Sequence, residues 1–124
     1  MIALSNRVHI YARPESRGSL VWCFTTILGA EAVTSSDAPG LPAPVLAFSF
    51  PGGGSLSVEF TDEALDERQA RWGAWLEIQS DDPATLRQKV IEAHLPQLQH
   101  PANDHFYFVA PGGQVLRIVA AGPR

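Results

Sequence analysis

The chain carries one pattern twice, with the second copy about sixty residues after the first, and this repeat constrains the fold most. Each half opens with a short alternating strand, continues into a helical stretch, and closes with two strands joined by a glycine turn. The opening strands are Arg7–Ala12 and Gly73–Ile78, and the closing hairpins are Phe48–Phe60 and Phe106–Ile118. The repeat predicts two similar modules, one over about 5–61 and one over about 72–121.

Length, charge and hydropathy limit the classes of protein to which this chain can belong. Its 124 residues suffice for one domain, which buries roughly two-thirds of its unfolded surface without a disulfide or metal. The net charge of -4 comes without a basic block, which argues against nucleic acid as a partner. The sequence contains no signal peptide and no bilayer-length apolar run, so we expect a cytoplasmic protein with no membrane partner.

Two helices are predicted, one in each half. The first covers Glu15–Leu28 and is stopped by Gly29, a residue that readily adopts the left-handed conformation. The second has Asp82 as its N-cap and Pro83 in its first turn, and it ends before Pro96. Both have apolar residues at helical spacing, which predicts that each packs one face against a sheet.

The segments between these elements are predicted to be turns and linkers. Pro51–Gly54 joins two strands and precedes no helix, so a hairpin turn is favoured over a phosphate-binding loop. Ser35–Pro44 contains prolines that exclude a strand interior, and we expect a surface loop that overhangs a pocket. Thr61–Arg71 has mixed charges typical of an exposed linker or a short helical turn. The single cysteine, Cys23, is expected in the core.

Two sequence phrases resemble those of a known superfamily. Trp22–Val33 follows the first strand and Ala110–Arg117 enters the last, as similar phrases do in the vicinal-oxygen-chelate superfamily of glyoxalase I, bleomycin-resistance proteins and extradiol dioxygenases. The resemblance implies a single glyoxalase-like domain over 1–124 of the α+β class. It implies two βαβββ modules that form a curved mixed sheet around a cavity, with the helices outside. It also implies a homodimer.

Metal-dependent members of this superfamily place one ligand on the first strand and one on the last strand of each module. Carried onto this chain, those positions hold His9 and Glu59 in the first module and Trp75 and Arg117 in the second. An indole and a guanidinium have no lone pair to offer a cation. The resemblance therefore implies that His9 and Glu59 are vestigial metal positions, and we expect neither a bound metal nor another cofactor.

The same carry-over predicts the walls of the cavity. Strand alternation places Tyr11 on the face of His9, and places Trp75 on the face of Glu77. His105 is expected to open a strand at the cavity rim. The predicted wall is aromatic with a few polar groups, as is usual for a site that binds a small organic molecule.

The charged residue Arg117 needs an anionic partner if it lies on this wall. Glu59 is the first candidate and Glu77 the second. Two interpretations of such a pair stay open. It either orients a ligand or only neutralises charges that a metal-binding ancestor left buried.

Two functions from different classes follow from the resemblance. The first is a binding protein that sequesters an aromatic or amphipathic compound, as bleomycin-resistance proteins sequester a drug. The alternative is a lyase, isomerase or dioxygenase of the superfamily that uses His9 and Glu59 as its candidate catalytic residues, with or without a divalent metal. The sequence alone displays no nucleophile beside a base, which favours the binding protein.

Overall fold

A computed structural model describes residues 1–35 and 45–122 of the chain. The chain divides into two compact units, Met1–Leu65 and Asp66–Arg124, and each is described by itself. The loop expected at Ser35–Pro44 lies, after its first residue, outside the described residues. In the described part, no helix is long and apolar enough to cross a membrane.

The first unit is a four-stranded mixed sheet with one helical segment. The elements are β1 (Arg7–Ala12), the 3₁₀ turn (Pro14–Ser16), α1 (Arg17–Trp22), the π turn (Cys23–Ile27), β2 (Glu31–Ser35), β3 (Val45–Ser49) and β4 (Ser55–Phe60). The strands stand in the order β1, β4, β3, β2, with β1 parallel to β4 and the other neighbours antiparallel. The short 3₁₀ turn follows β1, and α1 continues directly into the π-helical turn.

The second unit repeats this topology. The elements are α2 (Glu67–Ala70), β5 (Trp75–Ser80), α3 (Pro83–Glu92), β6 (Gln97–Leu98), β7 (Phe106–Val109) and β8 (Val115–Ala120). The strands stand in the order β5, β8, β7, β6, again with the first strand parallel to the last. The predicted α+β class and the two βαβββ modules are therefore confirmed.

The core of the first unit lies between the sheet and its helix. Leu20 and Phe24 are fully buried, and the ring of Phe24 meets that of Phe48 on the sheet edge to face, with centroids 5.0 Å apart. Burying a side chain of this size contributes about 1.5–3 kcal/mol. Cys23 is fully buried beside them, as predicted, and this burial raises the pKa of its thiol to about 12. The thiol is thus a packing group.

The first helix differs from its prediction at both ends. The α-helix starts at Arg17, two residues later than Glu15, since Gly18 weakens the first turn. At the other end the helix widens, and the Thr25 hydroxyl donates to the Val21 carbonyl at 2.7 Å within this stretch. Gly29 then has a φ of 74°, which confirms the predicted left-handed stop.

Helix α3 begins as predicted. The Asp82 carboxylate accepts the backbone N–H of Thr85 at 3.2 Å and its hydroxyl at 2.7 Å. These hydrogen bonds, that from the Thr85 side chain first, lower the pKa of Asp82 below its ordinary value. At the C-terminal end, His94 has a φ of 57°, a left-handed conformation that most side chains avoid.

Short helix α2 lies within the segment expected to be a linker or a helical turn, and it contacts the second hairpin. Asp66 and Gln69 form a capping box at its start. The Glu67 carboxylate accepts the backbone N–H of Gly112 at 3.1 Å. A Cβ at Gly113, whose φ is 98°, would lie 2.5 Å from the Glu67 carbonyl oxygen. Only glycine fits this close approach of turn and helix.

The first hairpin turn is confirmed at Pro51–Gly54. The backbone N–H of Gly53 donates to the Phe50 carbonyl at 2.9 Å, and Gly53 and Gly54 both have positive φ. The backbone of this segment therefore forms the turn between β3 and β4, as expected of a hairpin and not of a phosphate-binding loop.

Candidate functional site

One face of the first sheet presents polar side chains from its two parallel strands. Exposure alternates along β1, with His9 and Tyr11 on the open side, as predicted. The parallel register sets His9 opposite Ser57 and Tyr11 opposite Glu59. This register brings His9, Ser57 and Glu59 together although 48 residues separate the first two in the chain.

The His9 imidazole has a hydrogen-bond partner on each ring nitrogen. Its Nδ1 lies 2.6 Å from the Ser57 hydroxyl, and its Nε2 lies 3.2 Å from the Glu59 carboxylate. The Tyr11 ring packs edge to face against the imidazole, with centroids 5.1 Å apart. With a side chain that is 39% exposed, His9 is both held in place and open to solvent.

The matching face of the second sheet carries a stacked and ion-paired cluster. The guanidinium carbon of Arg117 lies 4.1 Å from the centroid of the Trp75 ring. Its Nη2 donates to the Glu77 carboxylate at 2.5 Å, and its Nη1 donates to the Tyr107 hydroxyl at 3.4 Å. Trp75 is nevertheless 45% exposed. We call these four residues the Trp75 cluster.

Tyr107 anchors the cluster to the sheet. It is 3% exposed and packs with Val109 and Val115. The Asn103 side-chain amide donates to the Tyr107 hydroxyl at 3.2 Å, and the Trp75 ring meets the Tyr107 ring edge to face at 6.0 Å. The buried phenol therefore fixes one end of the guanidinium.

The charge of Arg117 is held firmly and is compensated locally. The Glu77 hydrogen bond first, and the Tyr107 hydrogen bond second, raise the pKa of Arg117 above its ordinary value. Within the described part of the chain, the buried Nε of Arg117 has no hydrogen-bond partner. Stacking and the two Nη groups thus set the orientation of the guanidinium.

Arg117 takes the second of the two partners that we expected. Glu77 stands directly opposite it in the β5–β8 register, whereas Glu59 contacts His9 in its own unit. Alternation alone identifies the face of a residue, and the strand register decides which neighbour it meets.

His105 does not open β7, which starts at Phe106. It is exposed in the loop that precedes β7, where its backbone N–H donates to the Asn103 side chain at 3.0 Å. A role for its imidazole in ligand binding stays a prediction. The ring of His100 lies 6.0 Å from that of Tyr107, a member of the Trp75 cluster.

Sequence reasoning missed Ser57 and Tyr107. Ser57 stands two residues before Glu59 and so shares its face by alternation, a signal present in the sequence. Its contact with His9 depends on the parallel register, which no local pattern specifies. Tyr107 faces Arg117 across β7 and β8 for the same reason.

These residues do not fit a divalent metal ion of the superfamily type. In the described ranges, no three His, Cys, Asp or Glu side chains are grouped so that they could hold a metal. At the other two family positions, Arg117 covers Trp75, and neither side chain has a lone pair to give.

Taken together, two βαβββ units with parallel first and last strands define the fold of the vicinal-oxygen-chelate superfamily, so the predicted resemblance is confirmed at the level of the fold. The chain is similar to the genomically encoded fosfomycin resistance protein FosX from Listeria monocytogenes complexed with Mn(II) and sulfate. The TM-score is 0.72 at 14% identity, over 98% of this chain and 95% of that one.

Two further structures support the same fold. The E126Q mutant of FosX, complexed with Mn(II) and 1S,2S-dihydroxypropylphosphonic acid, has a TM-score of 0.68 at 15% identity, over 98% of this chain and 95% of that one. An integron cassette protein from the mobile metagenome of V. cholerae has a TM-score of 0.64 at 15% identity, over 98% and 99% of the two chains. No protein-family description and no curated protein sequence matches the chain.

Proposed function

We propose that the protein binds a small aromatic or amphipathic molecule at the Trp75 cluster and acts by sequestering it. One observation carries the proposal. The Arg117 guanidinium is stacked 4.1 Å from the centroid of the Trp75 ring, while 45% of Trp75 stays exposed. The Trp75 ring is thus held in one orientation while part of its surface stays accessible to a ligand.

Fixation of the ring favours binding because an ordered platform loses little entropy when a ligand arrives. Arg117 contacts Trp75, and Glu77 and Tyr107 hold Arg117 in turn. A planar ligand that stacks on the exposed part of the indole gains about 0.5–1.5 kcal/mol beyond its buried area. Because Trp75 is already ordered before the ligand arrives, little of that gain is lost in ordering the side chain.

The charge arrangement indicates the class of ligand. Glu77 compensates Arg117, so the cluster offers an aromatic surface beside a neutral ion pair and lacks a bare cation. Such a surface favours a neutral or amphipathic ring over a small multivalent anion.

The likeness to the superfamily supports a small organic molecule as the ligand, but it does not decide whether that molecule is only bound or also converted. The FosX mutant structure contains the organic molecule dihydroxypropylphosphonic acid together with Mn(II). Here the family metal positions do not fit the ion, which favours capture over metal-dependent turnover. By the same resemblance, we propose that the protein works as a cytoplasmic homodimer.

Tryptophan fluorescence tests the proposal directly. The chain contains three tryptophans, so a Trp22→Phe, Trp72→Phe variant makes Trp75 the sole reporter. Titration with neutral and carboxylated naphthalene and indole derivatives should change its emission. A ligand at about 100 times its Kd should stabilise the fold by about 2.7 kcal/mol.

Two alanine variants separate a specific site from general hydrophobic binding. Trp75→Ala should abolish the ligand-induced rise in melting temperature. Trp72→Ala removes an indole that is 89% exposed and outside the cluster, so it should keep that rise. Equal stabilisation of both variants by the ligand would refute the Trp75 cluster as the binding site.

A further inference from the structure

The first unit holds three side chains whose arrangement the binding proposal does not use. Ser57, His9 and Glu59 lie on one sheet face and form a continuous hydrogen-bonded chain. The order is hydroxyl, imidazole, carboxylate. We call this the Ser57 chain.

The two contacts of His9 determine how a proton is shared along this chain. A carboxylate only accepts hydrogen bonds, so the bond to Glu59 requires a proton on Nε2 of His9. In the neutral imidazole, Nδ1 then carries the lone pair and accepts the Ser57 hydroxyl proton at 2.6 Å. The carboxylate therefore fixes the tautomer in which the ring acts as a base toward serine.

The parallel β1–β4 pairing fixes this geometry. His9 is paired directly with Ser57, and Tyr11 with Glu59, so all three members of the chain are held by regular strand backbone. Tyr11 adds an edge-to-face ring contact that restrains the imidazole. A nucleophile, a base within hydrogen-bond reach and a group that orients the base are the parts of an activated serine.

We propose that Ser57 is the nucleophile of a metal-independent acyl-transfer activity, with His9 as general base and Glu59 as the residue that positions His9. The substrate class is small aryl esters. His9 is open to solvent, and Tyr11 beside it is 57% exposed, which offers an apolar surface for an aromatic leaving group.

The reaction balances without any further reagent. The Ser57 oxygen bonds to the ester carbonyl carbon while its proton passes to Nδ1 of His9. The bond from that carbon to the aryl oxygen then breaks, and the leaving phenolate takes the proton from His9. Water repeats the sequence on the acyl-serine and releases the carboxylic acid, which regenerates the Ser57 hydroxyl.

Acylation by p-nitrophenyl acetate tests the proposal on the intact chain. Mass spectrometry of the quenched reaction should place one acetyl group on Ser57, and Ser57→Ala should abolish it. Ser55→Ala is the matched control, because Ser55 lies on the same strand and face but pairs with Arg7, and it should keep the full rate. His9→Gln should lower the acylation rate by about 100-fold.

Glu59→Gln distinguishes positioning from a structural role. It should lower kcat by about tenfold or more with little change in KM, because the amide no longer fixes the tautomer. Circular dichroism and thermal melting check that each variant is folded. Acetate on His9 with an undiminished rate in Ser57→Ala would overturn the proposal, since imidazole would then be the nucleophile. No turnover in the folded protein would also overturn it.

This test is independent of the binding proposal. The acylation test changes Ser57, His9 and Glu59, whereas the binding test changes Trp75 and Trp72 and measures ligand-induced stabilisation, so failure of one proposal is distinguishable from failure of the other.

Discussion

At the scale of single residues, the two units use corresponding strand positions for different chemistry. The first and last strands of the first unit bring His9 and Glu59 into a hydrogen bond. The same strands of the second unit bring Trp75 and Arg117 into a stack. One pair therefore has lone pairs that could serve a cation, whereas the other pair presents an indole stacked under a guanidinium.

The Arg117–Glu77 pair provides a quantitative prediction. Arg117→Met and Glu77→Gln should each lower the free energy of unfolding, because each leaves one member of the pair without its partner. The double variant should lose less than the sum of the two single losses. Urea denaturation of the four proteins measures this coupling.

Glu59 provides the control for that experiment. It contacts His9, so Glu59→Gln and Arg117→Met should have additive effects on unfolding. Additivity in the Glu77 cycle together with coupling in the Glu59 cycle would show that the partner assignment is reversed.

At the scale of elements, local sequence signals predict where a helix begins better than how it ends. Asp82 and Pro83 place the start of α3 because capping is a local interaction. The π turn after α1 has no such signal, and neither does the left-handed His94. Both depend on how the chain leaves the helix to reach the next strand.

Replacing His94 by glycine should stabilise the second unit. A side chain in the left-handed region costs about 1–2 kcal/mol, so His94→Gly should raise the free energy of unfolding by up to about 1 kcal/mol after the added unfolded-state entropy. Thermal denaturation measures the change.

The neighbouring residue is the control. Ala93 has a φ of -79°, so Ala93→Gly relieves no strain and should destabilise by up to about 1 kcal/mol. A lower melting temperature for His94→Gly would contradict the strain argument.

At the scale of the whole molecule, the repeat predicts the topology because it recurs in strand, helix and hairpin alike. The opening strands and the closing hairpins lie close to their predicted positions, since alternation and glycine are local signals, whereas the sequence pattern does not place β2. The site is harder to predict. The contacts of Ser57, Glu77 and Tyr107 arise from register between strands far apart in sequence, and the predicted cavity and homodimer stay predictions.

Metal content is a property of the whole purified protein. We expect no stoichiometric iron, zinc, nickel or manganese after purification without a chelator, because Trp75 and Arg117 offer no ligand atoms. Elemental analysis by mass spectrometry checks this. One metal per chain that is lost in both His9→Ala and Glu59→Ala would show that two side chains and solvent suffice.

The parallel pairing of first and last strands also dictates an order of events during synthesis. His9 and Ser57 are 48 residues apart, and Glu77 and Arg117 are 40 apart, so β1 and β5 each stay without their sheet neighbour until the last strand of the unit is made. On the ribosome, β1 can pair with β4 along its full length only after Phe60 has left the exit tunnel. Such long loops slow folding. The Ser57 chain therefore cannot form before β4 has been made, and a nascent chain cut short before β4 should lack it.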